Sequence, residues 1–166
     1  MNTSNKSVAL VKPGEGTALS VVGDSYRIVM SGRNTGNAYA VIEMLVPPGS
    51  GPGPHAHAGF QESFQVLDGE VEIKTEAGKY TVVKGDFVNI PLGGLVHGFK
   101  NNSDKLARLW CVVVPAGLDA FFEEIGEPGT FGTFVPPPEM NPDRIAKLEK
   151  IAEKYGQKLF PPNYLD

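Results

Sequence analysis

Between residues 38 and 114 the chain is a succession of short apolar or alternating runs, each soon cut off by glycine, asparagine or aspartate. The clearest pair is 62–67 and 71–74, which flank Asp68 and Gly69 and read as a hairpin. Further strands are expected at 26–30, 38–46, 80–83, 87–90, 96–100 and 107–114, with turns at 31–37, 76–79, 84–86 and 101–104. Runs this short leave little room for helix. Their regular spacing implies an all-β fold, an antiparallel sandwich or barrel of the jelly-roll class.

After Pro115 the apolar period lengthens to that of a helix. Phe121, Phe122 and Ile125 share one face of a short helix over 118–125, closed by Gly126. A Pro- and Gly-rich connector follows at 127–138. Asn141 as N-cap, Pro142 in the first position and Asp143 in the first turn then open a second helix. Its stripe of Ile145, Leu148, Ile151, Ala152 and Tyr155 is expected to pack on the outside of the barrel, with Gly156 as its C-cap. The expected organisation is an N-terminal segment and joining strand (1–37), a barrel core (38–116) and a C-terminal helical extension (117–166).

Composition excludes several classes of function. Fifteen basic residues against 19 acidic ones give a net charge of −4, which leaves no electrostatic footprint for nucleic acid. No basic run suits a membrane surface, no stretch approaches a membrane span, and residues 1–7 are polar. A cytoplasmic protein is expected. The lone Cys111 forms no intrachain disulfide, and its apolar neighbours 109–114 make it a buried strand thiol.

The three histidines, His55, His57 and His97, fall in two short segments. Alternation along a strand points His55 and His57 the same way, so both can reach one ion. The same alternation puts Glu62 on the side of Phe64 and Val66. An inward carboxylate there is costly unless paired or metal-bound, whereas Gln61 faces the opposite side. His97 comes from a later strand across the sheet. Three imidazoles and a carboxylate suit one divalent transition metal and leave open positions for water or substrate. The set does not choose among Fe, Mn, Ni, Cu or Zn.

These residues resemble the cupin superfamily. Gly49, His55, His57, Glu62 and Gly69 match every fixed position of its first motif. Gly85, Pro91, Gly93, His97 and Asn101 match its second, with three residues rather than two between Gly93 and His97. Gly94 can absorb the extra residue in a longer loop before the ligand. The resemblance covers roughly residues 38–116 and implies a single cupin barrel, with C-terminal helices packed outside it.

Within that family the chain looks most like the small quercetin dioxygenase-like cupins. The resemblance implies a mononuclear metal-dependent oxygenase acting on a small aromatic or enolisable molecule. Glu62 would be both ligand and general base, and Phe60, Phe64, Phe99 and Trp110 are candidate pocket walls. A non-catalytic small-molecule-binding or sensing cupin is the alternative, because fold does not deliver a substrate. Open sheet edges and the habit of similar cupins lead us to expect a homodimer.

Overall fold

The computed structural model describes residues 7–166, so all but the last residue of the polar 1–7 stretch lies outside the described residues. The strands are β1 (Thr17–Val21), β2 (Asp24–Met30), β3 (Ala40–Val46), β4 (His55–His57), β5 (Gln61–Asp68) and β6 (Glu70–Thr75). They continue with β7 (Gly78–Val83), β8 (Phe87–Ile90), β9 (His97–Lys100), β10 (Ala107–Val114), β11 (Glu127–Pro128) and β12 (Gln157–Leu159). Three helices accompany them: α1 (Gly32–Thr35), α2 (Leu118–Ile125) and α3 (Pro142–Lys154).

Two antiparallel sheets result, with strand orders β11-β1-β2-β3-β10-β5-β8 and β12-β4-β9-β6-β7. They do not close into one continuous barrel. Inward residues of both sheets, such as Ile42, Leu109 and Val66 from the first and Val71, Ile73 and Phe99 from the second, join one apolar core. Alternation does the sorting: along β10, Ala107, Leu109, Cys111 and Val113 are buried while the residues between them are not.

The elements depart from expectation in a few places. The turn at 31–37 contains the single-turn helix α1, where Ser31 Oγ donates to Asn34 Oδ1 at 2.6 Å. The strands β1, β11 and β12 were not expected. The first is short and weakly patterned, and the other two carry two and three residues. Asn141 does cap α3, its side chain accepting from the Arg144 amide, but Tyr155 takes the C-cap and Gly156 follows with φ at 72°.

The helices lie outside the sheets, yet α2 does more than cover them. Leu118, Phe121 and Phe122 are buried in the common core and wall a cavity between the sheets. Burying an aromatic side chain of this size contributes roughly 1.5–3 kcal/mol, so α2 is an integral part of the core. Of the α3 stripe, Leu148, Ile151, Ala152 and Tyr155 pack inward, while Ile145 stays 41% exposed.

Candidate metal centre

Strand β4 sits inside its sheet between β12 and β9, and His55 pairs directly with His97. Residues opposite each other in an antiparallel pair share a face, so His55, His57 and His97 all project inward from one sheet. Glu62 projects toward them from β5 of the other sheet. His57, Glu62 and His97 are 2%, 3% and 1% exposed, and His55 is half-buried. Their ligand-type atoms all lie within 4.8 Å of one another, so the cluster could hold a metal ion.

Hydrogen bonds to the backbone fix how the imidazoles present themselves. His55 Nδ1 donates to Gly53 O, His57 Nδ1 to Phe60 O and His97 Nδ1 to Leu95 O, each at 2.9 Å. A carbonyl oxygen only accepts, so each Nδ1 carries the proton and each neutral ring turns a bare Nε2 lone pair toward the others. Glu62 Oε2 stands 3.2 Å from His57 Nε2 and 3.4 Å from His97 Nε2. Lone pairs facing a carboxylate at that range repel unless a cation, a proton or a metal ion, sits among them. The donor set and its backbone supports therefore fit a divalent metal, and a carbonyl behind each histidine is the usual outer support of such a ligand.

The electrostatics agree. Burial, reinforced by neighbouring His97, pushes His55 down to about 4, which keeps it neutral and able to ligate at neutral pH. Burial alone raises Glu62, but the cation that the facing Nε2 atoms of His57 and His97 call for, a proton or a metal ion, outweighs it. Glu62 thus stays below the usual carboxylate range and is ionised. Its second oxygen is held separately, because Cys111 Sγ donates to Glu62 Oε1 at 3.3 Å.

The loops around the cluster explain the second motif. Asn101, fully buried, donates from its side chain to Val46 O and Lys105 O, and its amide donates to Ser50 O at 2.8 Å. Gly49 N in turn donates to Asn101 O at 2.7 Å. Asn101 thereby ties the loop leading into His55 to the end of β9. At Gly51, with φ at 134°, a Cβ would meet Phe99 O at 2.2 Å, so only glycine allows that approach. In the longer loop before His97, Gly93 and Gly94 have φ of 110° and 83°, a backbone that favours glycine.

His55 and Glu62 border a cavity of about 300 Å³ between the sheets. Of the four expected wall aromatics, Phe64 and Phe99 line it and meet edge to face at 5.4 Å between ring centroids. Phe60 is absent from that wall and stacks on the His57 ring at 4.0 Å, bracing a candidate ligand. Trp110 is corrected outright. It lies opposite Glu43 on the far face of β10, because inward Leu109 and Cys111 force it outward.

Further wall residues escaped the sequence reading: Tyr26, Asp24, Phe121, Phe122 and Gln157. Asp24 accepts from Ser50 Oγ and, at 3.0 Å, from Tyr26 Oη, and burial raises it to about 6 against the pull of those two bonds. The helical period had marked Phe121 and Phe122 as a buried face without saying what they would face.

Among known proteins, residues 42–114 match the model of the cupin domain. Quercetin 2,3-dioxygenase of Bacillus subtilis (strain 168) is 25% identical over 146 residues, covering 87% of this chain and 43% of that protein. The chain thus spans less than half of that relative's length. Among solved structures, a predicted oxalate decarboxylase from Thermotoga maritima matches with a TM-score of 0.59 at 21% identity, over 64% of this chain and 99% of that one. KdgF from Halomonas sp. matches at 0.58 and 17% identity, over 69% and 99%. Ectoine synthase from P. lautus matches at 0.56 and 17%, over 82% and 99%. These structural likenesses are likenesses of fold. Two antiparallel sheets clasping a His-His-Glu-His cluster, together with both of its sequence motifs and the domain match over the same strands, make this chain a member of the cupin superfamily.

Proposed function

We propose that this cupin is a mononuclear metal-dependent oxygenase acting on a small aromatic or enolisable molecule. His55, His57, Glu62 and His97 bind one divalent transition metal, and Glu62 also serves as the proton acceptor. The observation that carries this reading is the cluster of three backbone-locked imidazoles and one ionised carboxylate, which meets an otherwise largely apolar cavity through His55 and Glu62. The distant likeness to a quercetin 2,3-dioxygenase supports the direction of the proposal.

When bound, the metal supplies Lewis acidity that lowers the pKa of a substrate hydroxyl and offers positions for further oxygen ligands. The chain does the rest. Glu62, ionised and facing the cavity, takes the hydroxyl proton on Oε2 while Cys111 keeps Oε1 in place. Phe64, Phe99, Phe121 and Phe122 clasp an apolar ring and keep water from the reacting face. A homodimer and a cytoplasmic setting belong to the same proposal. In this chain no helix is long and apolar enough to cross a membrane among the described residues.

The test is elemental analysis of protein purified without chelator, followed by oxygen-electrode assays of the metal-loaded protein with flavonols and diketones. Oxygen uptake that requires both metal and substrate is expected. Tight binding of those compounds with no uptake would instead identify a sensing or binding module.

A further inference from the structure

Gln157 carries a polar group that the fold leaves without a partner. It is 6% exposed, and its Nε2 is buried with no hydrogen-bond partner among the described residues. An unmet buried donor costs more than an average hydrogen bond contributes, and native interiors hold few of them. Packing does not require an amide here. Two residues along the same strand, Leu159 occupies the equivalent place opposite His55 with an aliphatic side chain.

Its location says what the amide faces. Gln157 pairs with His57 across β12 and β4, so both side chains share the inner face of the sheet. It also lines the cavity bordered by His55 and Glu62. Asp24, another polar group in that wall, already accepts from Ser50 and Tyr26 on its two oxygens. Gln157 therefore brings an uncommitted amide to the cavity wall beside the His/Glu cluster, among apolar neighbours such as Phe64 and Phe99, and rotation about its terminal side-chain bond turns the covered Nε2 toward that space.

We propose that Gln157 is a specificity-determining residue: its Nε2 donates to an acceptor oxygen of the bound molecule, which is an aromatic compound bearing a carbonyl. The inference rests on the reading of this cavity as the small-molecule site of the metal centre and does not depend on oxygen chemistry. A carbonyl satisfies the orphaned donor, whereas an analogue without one leaves it unmet and loses that part of the discrimination.

The experiment compares wild type, Gln157→Met and Gln157→Glu, all metal-loaded, by calorimetric titration with 3-hydroxyflavone and with flavan-3-ol, which lacks the carbonyl. Gln157→Met is expected to bind 3-hydroxyflavone about five- to tenfold more weakly and flavan-3-ol unchanged. Gln157→Glu, which sets acceptor against acceptor, should bind 3-hydroxyflavone more weakly still. Metal content should not move, and the ligand-free Tm of Gln157→Met should equal or exceed that of wild type because the orphan is gone. Equal losses for both probes, no loss, no binding of 3-hydroxyflavone by wild type, or a lowered Tm in Gln157→Met overturns the assignment. Oxygen uptake by wild type with unaltered Gln157→Met affinity sinks the role of Gln157 and spares the oxygenase reading. Gln157-dependent binding without uptake does the reverse.

Discussion

Cys111 Sγ and Glu62 Oε1 lie 3.3 Å apart on adjacent strands, with the thiol donating to the carboxylate. One oxygen of Glu62 is thereby occupied, and the other is left to the imidazoles. Burial first, and then the charge of Glu62 and its hydrogen bond, push the Cys111 thiol well above its usual range. Cys111 should resist iodoacetamide at pH 8 in the folded protein, because the thiolate is the reactive form. Cys111→Ala should lower metal affinity by about tenfold, the low end for losing such a support, while Cys111→Ser retains most of it. Chelator competition measures both, and equal affinities in the two variants would refute a role for the hydrogen bond.

Glu43 is fully buried on the opposite face of the same sheet, held by Arg27 and Arg108. Removing it strands the buried Arg27 guanidinium. Glu43→Ala should destabilise the fold by about 3–5 kcal/mol, read as a fall in the urea midpoint at unchanged m. A change under about 1 kcal/mol would mean that water reaches the arginines freely.

Asp24 gives stability a pH dependence of its own. Its folded-state value of about 6 lies above the ordinary 3.8, so its contribution is present in full below about 3.8 and is lost as the pH rises through about 6. At about 1.4 kcal/mol per unit the loss reaches up to about 3 kcal/mol. Asp24→Asn should therefore gain on wild type as the pH goes from 4 to 7. Parallel stability profiles for the two proteins would contradict the shift.

Metal binding should stabilise a fold that already stands without it. The core joins both sheets and α2 through apolar contacts alone. A metal at one hundred times its dissociation constant adds about 2.7 kcal/mol by mass action. Chelator should lower Tm modestly, and unfolding at room temperature on chelation would show the core to be insufficient.

Much of this was legible in the sequence because strand alternation is a strict rule. Period two alone puts Glu62 with Phe64 and Val66, and all three are buried. The same rule, applied to β10 from an inward Cys111, sends Trp110 to the outer face, away from the pocket wall expected of it. Gln157 was out of reach. A three-residue strand behind Gly156 has no periodicity to read, and its pairing with the histidine strand is a contact between residues about a hundred positions apart. The cavity wall contributed by α2 was hidden for the same reason: a helical stripe reveals a buried face but not the partner it is buried against.

The central claim is that the four residues hold one metal and that Glu62 also moves a proton, and Glu62→Gln tests both in one preparation. Metal content by elemental analysis and oxygen uptake should be measured side by side with wild type and with His57→Ala. The account predicts one divalent metal per wild-type chain, little in His57→Ala, and partial occupancy in Glu62→Gln with turnover per bound metal down by about 10²- to 10⁴-fold. A wild-type chain that takes up no metal, or variants that retain it in full, would contradict the metal centre. Turnover falling only in step with occupancy in Glu62→Gln would remove the proton-accepting role from Glu62.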